Sequence, residues 1–271
     1  MTKLYTIPKK LSSRIREQYY QVIPRIIWQT MKTNIVTKVM SDYATSWIDG
    51  NPEYEYRFFD DKDVYQFIKT AFPSYIKGYE TIKYGAVKSD FWRYLIIYKY
   101  GGVYADIDCR CVVPLQKWIN AESQWVTQLG VNRDVCQWLI ISVPKNPVFK
   151  AAADKSYSNL INSRLDGFIE YSGFKLDRNK KLVVCERTAP VKIRHPVMNI
   201  AGPPILQKAA EECFRSKSNS GVFRSIQIVC VSGADSCQMN GNVQHEYGNR
   251  EYLQGLQVLG TPHYESQHSH P

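Results

Sequence analysis

The chain has 271 residues and a formal charge of +10, with 44% hydrophobic and 13% aromatic residues. This composition predicts a packed globular protein and excludes long disorder and a collagen helix. No run of about 18 apolar residues occurs, and the polar start of the chain lacks the apolar core of a secretory signal. We therefore expect no membrane span and a cytoplasmic location, with peripheral membrane association left open.

The excess of 35 Lys and Arg over 25 Asp and Glu favours anionic partners such as nucleic acid, acidic lipid or a phosphate-bearing small molecule. The basic residues are spread along the chain, which equally fits a basic surface without a special partner. Neither a zinc-finger spacing nor an RNA-binding aromatic motif occurs, so we expect no nucleic-acid partner. The seven cysteines contain no CxxC pair, which favours buried reduced thiols and leaves one or two disulfides open.

Hydrophobic periodicity and Gly and Pro punctuation predict most elements of the chain. Residues 1–21 are polar and are predicted to form a partly helical lead-in. Strands are predicted over 22–28, 54–59, 103–105, 124–129, 135–143 and 223–231, and helices over 38–48, 60–71, 84–100, 147–165 and 203–214. Residues 232–271 are predicted to be loops. The alternation of strands and helices indicates a single α/β domain with a mostly parallel central sheet.

The clearest candidate site is Asp106-Ile107-Asp108, which follows the strand over 103–105. Gly101 and Gly102 end the preceding helix. In open α/β sheets ligands bind at the carboxyl ends of the strands, and paired carboxylates suit Mg²⁺ or Mn²⁺ with ligand phosphates completing the shell. The alternative is a chance DxD at a solvated strand end.

Asp90 and Arg93 lie three residues apart on the helix before this motif, so they share one helix face. Two interpretations stay open at this point. The pair is either a surface ion pair or a polar cluster beside the metal. In the second case Asp90 accepts hydrogen bonds from ribose hydroxyls, and Arg93 donates to the sugar or the nucleotide.

Residues 84–108 read YGAVKSDFWRYLIIYKYGGVYADID. This stretch closely resembles the DxD sugar-binding region of glycosyltransferase family 32, which includes initiating α-1,6-mannosyltransferases and capsular sugar transferases. Residues 23–30 are similar to the opening strand of that family, and residues 47–61 resemble its second block. The resemblance covers residues 22–115.

The resemblance implies a GT-A fold over residues 22–271, with a donor-binding half at 22–115 and an acceptor-side half at 116–271. It further implies a retaining, metal-dependent enzyme that uses Mn²⁺ or Mg²⁺, as in polysaccharide biosynthesis. Such an enzyme moves a hexose from GDP-mannose or a UDP-hexose to a glycan, a glycoconjugate or another hydroxyl acceptor.

Carried over by position, the resemblance makes Asp106 and Asp108 the metal and diphosphate motif. It makes Asp90 and Arg93 contacts to the donor sugar or ribose, with Arg93 also counted as catalytic. Trp28 and Gln29 are placed at the border of the nucleotide pocket. The assignment of Asp106 and Asp108 agrees with the chemistry of the reaction, because a cation at such a motif neutralises a diphosphate leaving group.

Two further candidates come from the second half of the chain. Gln137 falls where related enzymes place an amide beneath the sugar, and an amide there steadies the leaving or attacking oxygen. A core strand residue is the alternative for Gln137. His245 falls in the place of a late His block and is the candidate third metal ligand, with an exposed loop histidine as the alternative.

Two other functions compete with glycosyl transfer. Phosphatases of the haloacid-dehalogenase type also place DxD after a strand, but that motif normally lies near the N-terminus and continues differently from Cys109-Arg110. The other competitor is a non-catalytic nucleotide-sugar-binding protein. The full set of Asp90, Arg93, Asp106 and Asp108 argues against a vestigial site.

Overall fold

The computed structural model describes residues 3–15, 19–117, 119–129, 132–162, 168–178, 182–186, 191–193, 195, 197–216, 225–231, 252–253 and 256–258. The helices within these residues are α1 (Lys38–Gly50), α2 (Asp61–Ala71), α3 (Ile76–Glu80), α4 (Gly85–Tyr100), α5 (Pro147–Ile161), α6 (Met198–Ala201) and α7 (Pro203–Arg215), with short 3-10 turns at Pro73–Tyr75 and Leu115–Lys117. The strands are β1 (Tyr5–Thr6), β2 (Lys10–Leu11), β3 (Ile26–Thr30), β4 (Ile35–Val36), β5 (Glu55–Phe59), β6 (Gly102–Ala105), β7 (Cys109–Cys111), β8 (Trp125–Leu129), β9 (Leu139–Ser142), β10 (Ile169–Tyr171), β11 (Phe174–Leu176), β12 (Leu182–Val184), β13 (Val191–Ile193), β14 (Ile226–Val231), β15 (Tyr252–Leu253) and β16 (Leu256–Val258).

A seven-stranded sheet forms the centre of the molecule, with the spatial order β14-β8-β9-β6-β3-β5-β2. Five of its strands, β14, β8, β6, β3 and β5, run in the same direction, and β9 and β2 run against them. The predicted α/β class with a mostly parallel central sheet is therefore confirmed. The sheet runs without a break through both predicted halves of the chain.

Apolar side chains cover both faces of the sheet. On one face, α2, α4, α5 and α7 pack around a core that contains Trp92, Trp125 and Phe149. On the other face, α1 and β7 cover a second core that contains Trp47, Tyr56 and Leu139. This layering holds the strand ends in place, and the carboxyl ends of β3, β5 and β6 lie at one edge of the sheet.

The helix α4 is buried on almost every side, because α5 and α6 cover the side that the sheet leaves open. It ends at Gly101, whose φ of 64° lies in the left-handed region, and Gly102 follows with a φ of 96°. A Cβ atom on Gly102 would lie 2.5 Å from the carbonyl oxygen of Ile26. Glycine at this position therefore allows β6 to start directly beside β3.

We expect Gly102→Ala to lower the free energy of unfolding by at least about 2 kcal/mol, because it adds both backbone strain and a clash with a neighbouring strand. Thermal unfolding should show a decrease in Tm of about 5 °C or more. Gly50→Ala is the matched control, since its nearest new contact is 3.9 Å away and ordinary. Equal Tm values for the two variants would contradict this account of the β6 start.

Several boundaries differ from the sequence prediction. Residues 3–15 contain the strands β1 and β2 rather than helix, because Lys10–Leu11 extends the sheet edge beside β5. The predicted strand over 135–143 is shortened to Leu139–Ser142, with Val135 forming an isolated bridge to Leu129. The loop prediction for residues 232–271 is wrong at β15 and β16, which pair with each other and with β7.

The cysteines whose side chains are described, Cys109, Cys111, Cys136, Cys185 and Cys213, are all free thiols. Burial raises the pKa of Cys111 to about 11, so this thiol stays protonated at neutral pH. Among the described residues, no helix is both long and apolar enough to cross a lipid bilayer.

Candidate functional site

The motif Asp106-Ile107-Asp108 forms a tight turn at the carboxyl end of β6. The backbone N–H of Cys109 donates to the carbonyl of Asp106 at 3.1 Å, and the N–H of Asp106 donates to the carbonyl of Trp138 at 2.9 Å. Burial first, and then the charges of Asp108 and Asp106, raise the pKa of the Cys109 thiol. The Cys109 Sγ lies 3.9 Å from Asp108 Oδ1, so the turn holds the Asp108 carboxylate beside this thiol.

Buried side chains hold this turn, which we call the DxD turn (106–109), from two sides. Gln29 Nε2 donates to the carbonyl of Asp106 at 3.2 Å, and the hydroxyl of Tyr56 donates to Gln29 Oε1 at 2.9 Å. From α1, Trp47 Nε1 donates to the carbonyl of Cys109 at 2.8 Å. Because Gln29, Tyr56 and Trp47 are each at most 1% exposed, these bonds fix both ends of the turn to the interior.

Arg93 joins the two acidic positions of the site. Its Nη2 lies 2.9 Å from Asp106 Oδ1 and 3.0 Å from Asp90 Oδ1, and its Nη1 donates to the carbonyl of Gln137 at 3.0 Å. Burial alone lowers the pKa of Arg93, but the charges of Asp106 and Asp90 outweigh it and raise the pKa. The Arg93 side chain is 6% exposed, so the surface-ion-pair interpretation is wrong.

Tyr104 is a site residue that the sequence analysis missed. Its hydroxyl donates to Asp106 Oδ1, and its ring lies 4.6 Å below the Arg93 guanidinium. Burial raises the pKa of Tyr104, so the hydroxyl keeps its proton and remains a donor. The sequence spacing could have indicated this contact, because residues two apart on a strand share a face and Tyr104 precedes Asp106 by two.

Trp28 and Gln29, predicted at the border of a nucleotide pocket, both have interior side chains. Trp28 is 2% exposed, donates from Nε1 to the carbonyl of Gly101 at 2.8 Å and stacks against Tyr100. Gln29 is fully buried beneath the DxD turn. The two side chains thus form the strand ends around the site, and their place at the border of a nucleotide pocket stays a prediction.

The side chain of Gln137 also lies in the core. Its Nε2 donates to the hydroxyl of Tyr94 at 2.5 Å and to the carbonyl of Ala201 at 2.9 Å. This side chain links α4 to α6, and it is 5% exposed. These contacts are those expected of the core alternative, and the amide beneath the sugar stays a prediction. His245 lies outside the described residues.

The chemistry of Asp106 and Asp108 fits a divalent cation. Tyr104 and Arg93 both bind Oδ1 of Asp106, and Asp108 adds a second carboxylate to the same turn. The described part of the chain holds no group of three or more His, Cys, Asp and Glu side chains suited to a metal ion. Two hard ligands are typical of a cation that shares its shell with substrate phosphates and water.

The region that contains the DxD turn matches a known protein family. Residues 37–125 match the family described as "Glycosyltransferase sugar-binding region containing DXD motif". This segment of the chain thus carries the DXD sugar-binding region that the family model describes. The predicted resemblance to glycosyltransferase family 32 is confirmed, and the α/β sheet architecture is the one expected of a GT-A-like fold.

The curated relatives that the chain matches include mannosyltransferases. A mannosyl phosphorylinositol ceramide synthase of Saccharomyces cerevisiae is 35% identical over 134 residues, which cover 49% of this chain and 34% of the relative. An initiation-specific alpha-1,6-mannosyltransferase of Candida albicans is 32% identical over 183 residues, 55% of this chain and 48% of the relative. The matched segments thus span less than half the length of these relatives.

Among solved structures, the PaToxG glycosyltransferase is similar at 17% identity, with a TM-score of 0.46 and coverage of 71% of this chain and 69% of that chain.

The variant Tyr56→Phe tests whether the hydrogen bonds from Tyr56 to Gln29 and from Gln29 to Asp106 support the DxD turn. The change leaves Gln29 Oε1 buried without its donor, which should cost about 1–3 kcal/mol of unfolding free energy. Because the DxD turn then loses support, we expect donor turnover to fall about tenfold. Tyr54→Phe is the control, since its hydroxyl bonds Gln21 instead. Equal loss of turnover in both variants would refute the link to the turn.

Proposed function

We propose that this DXD glycosyltransferase is a retaining, metal-dependent enzyme that moves a hexose from a nucleotide-sugar donor to a hydroxyl acceptor. One observation carries the proposal: the buried Arg93 that joins Asp90 and Asp106 at the carboxyl end of β6, inside the matched region. This edge is where α/β sheets bind ligands.

Each site residue has a role in this proposal. Asp106 and Asp108 would hold Mn²⁺ or Mg²⁺, which supplies charge neutralisation to a diphosphate leaving group when bound. Asp90 accepts hydrogen bonds from donor hydroxyls, because its side chain is 13% exposed at the site. Arg93 is too buried to contact much of a ligand, so it acts as a positioning residue that orients both carboxylates.

The names of the relatives suggest the sugar and the acceptor. They include a mannosyl phosphorylinositol ceramide synthase and an alpha-1,6-mannosyltransferase. We therefore propose mannose as the transferred sugar, with GDP-mannose as the first donor to test and UDP-hexoses next. The acceptor is a glycan or a glycolipid headgroup. The cytoplasmic location stays a prediction.

A donor panel tests the proposal directly. The protein is incubated with GDP-mannose, UDP-glucose, UDP-galactose or UDP-N-acetylglucosamine, with and without Mn²⁺, and release of the nucleotide diphosphate is measured. We expect metal-dependent release from one donor and stabilisation of the protein by that nucleotide. Stabilisation without release or transfer would instead indicate the non-catalytic nucleotide-sugar-binding function.

The stereochemistry of the product provides an independent prediction. An inverting enzyme needs a base in line with the acceptor hydroxyl, whereas Asp90 and Asp106 are both bound to Arg93. In the retaining reaction, the bond from C1 to the diphosphate oxygen breaks and the acceptor oxygen bonds C1 on the same face. The departing diphosphate takes the acceptor proton. We expect an α-linked product from an α-configured donor, and a β-linked product in NMR spectra would refute retention.

A further inference from the structure

The carboxyl end of α1 binds the backbone directly after the DxD turn. Trp47 Nε1 donates to the carbonyl of Cys109 at 2.8 Å, and Ser46 Oγ accepts from the N–H of Cys111 at 2.9 Å. The Ser46 hydroxyl in turn donates to the carbonyl of Tyr43, within the same helix, at 2.6 Å. Two neighbouring residues of α1 therefore hold both ends of β7, the strand that begins where the DxD turn ends.

Asn51, the residue that caps the end of α1, joins these contacts to one another. Its Nδ2 donates to the carbonyl of Trp47 at 3.0 Å and to Cys111 Sγ at 3.5 Å. Its Oδ1 accepts from the N–H of Leu115 at 2.6 Å. Because Asn51 is 1% exposed, the groups that it binds would stay buried and without these partners if the amide were removed. One side chain thus links the helix that binds the DxD turn to the chain beyond β7.

Cys109 passes this support on to both aspartates of the motif. Its N–H donates to the carbonyl of Asp106 at 3.1 Å, and its Sγ lies 3.9 Å from Asp108 Oδ1. Asp108 is 8% exposed and directly precedes Cys109 in the chain. The position of Cys109, which Trp47 holds, therefore influences the position of both carboxylates.

We propose that Asn51 and Ser46 are positioning residues of the DxD turn, which keep Asp106 and Asp108 placed to bind a divalent cation. The inference rests on the metal-dependent function proposed above and extends it to residues outside the motif. Outer contacts that orient metal ligands typically contribute about 10- to 100-fold to metal affinity. A role in folding alone would instead lower stability and leave the affinity for metal unchanged.

Titration with Mn²⁺ alone, followed by electron paramagnetic resonance, tests the proposal. We expect Asn51→Ala to weaken Mn²⁺ binding about tenfold or more. Asn146→Ala is the matched control, because Asn146 is 4% exposed and also uses both ends of its amide. It accepts from the N–H of Val148 at 3.1 Å and donates to Ser142 Oγ at 3.0 Å. Ser142 lies opposite Gly102, at the other end of β6 from the DxD turn. Both variants should lower the Tm, and only Asn51→Ala should weaken Mn²⁺ binding.

A milder variant, Ser46→Ala, tests the same support if Asn51→Ala does not fold. It removes the acceptor of the Cys111 N–H and one hydrogen bond within α1. Ser156→Ala is its control, because the Ser156 hydroxyl donates to the carbonyl of Ala152 at 2.8 Å within α5, on the other face of the sheet. We expect Ser46→Ala to weaken Mn²⁺ binding at least about threefold, and Ser156→Ala to keep the wild-type affinity.

Hydrogen exchange of the metal-free protein gives a readout besides metal binding. Mass spectrometry should show peptides of residues 106–115 exchanging at least about tenfold faster in Asn51→Ala than in the wild type. The reason is that opening of this segment then breaks fewer buried hydrogen bonds. In Asn146→Ala, the same peptides should exchange at the wild-type rate.

Three outcomes would decide against the proposals. Unchanged Mn²⁺ affinity in both Asn51→Ala and Ser46→Ala, or an equal loss in the variants and their controls, would overturn the positioning role and leave these residues a role in stability alone. Unchanged exchange of residues 106–115 in Asn51→Ala would also overturn it. Absence of Mn²⁺ binding by the wild type would overturn the metal-dependent function instead, so the two proposals can fail separately.

Discussion

Asp106→Asn and Asp108→Asn are each expected to abolish sugar transfer and donor hydrolysis, with a loss of at least about a thousandfold. The reason is that each removes a negatively charged oxygen from the proposed two-carboxylate metal site, where neutralisation of a leaving diphosphate would contribute several kcal/mol to the transition state. Initial rates measured over a Mn²⁺ titration check this.

Asp106→Asn should also lower the free energy of unfolding, because it removes a charge partner of the buried Arg93. Asp49→Asn is the control for loss of a carboxylate, because Asp49 forms an exposed pair with Arg14. Full activity of Asp108→Asn, or of the wild type in excess chelator, would disprove the metal-dependent function.

Arg93→Ala is expected to have the second large effect, on stability and activity together. It leaves Asp90 and Asp106 mostly buried without their cation, which should cost about 3–5 kcal/mol of unfolding free energy. Since Asp106 then loses its orientation, metal-dependent binding of the nucleotide diphosphate and sugar transfer should both fall. Urea unfolding, calorimetric nucleotide binding and initial rates measure the three quantities.

Arg93→Lys separates charge from geometry. A single ammonium cannot span Asp90, Asp106 and the Gln137 carbonyl, so this variant should recover stability in part and turnover hardly at all. Arg14→Ala, at an exposed ion pair, is the control and should change stability by less than about 1 kcal/mol. If Arg93→Ala lost transfer but kept nucleotide binding, Arg93 would contact the sugar rather than position the carboxylates.

The order of elements around the site could be predicted from sequence because local signals there are strong. The helix α4 has a long apolar repeat, and the glycine pair at 101–102 ends it where the backbone requires positive φ. The strand β6 and its terminal Asp106 and Asp108 follow directly. These features are determined by residues close together in the chain, so the sequence predicts the position of the motif without knowledge of tertiary contacts.

The partners of the site residues could not be predicted in the same way. Gln29 binds Asp106 across 77 positions, and Gln137 binds Ala201 across 64. The local sequence around a polar side chain that bonds a distant residue of the protein does not differ from that around a side chain that binds a ligand. For this reason Gln29 and Gln137 were both interpreted as ligand contacts, although their hydrogen bonds are satisfied inside the protein.

The burial of Arg93 shows a related limit. A pair of opposite charges three residues apart is most often exposed on a helix, and the sequence left that interpretation open. The structure buries the pair because Arg93 packs against Tyr104 and Asp106 at the end of β6 and donates to the carbonyl of Gln137. Since these partners come later in the chain, the periodicity of α4 alone could not indicate the burial.

The position of β9 between β6 and β8 has a consequence for how this fold can be divided. The segment 37–125, which matches the family model, contains β6 but neither of its neighbours, β3 and β9. A peptide of that segment would expose unpaired backbone along both sides of a short strand whose residues are all buried in the full chain, which is a template for aggregation. The segment that matches the family model therefore does not form an independently folding unit. Transferring it into another protein would require that protein to supply strands on both sides of β6.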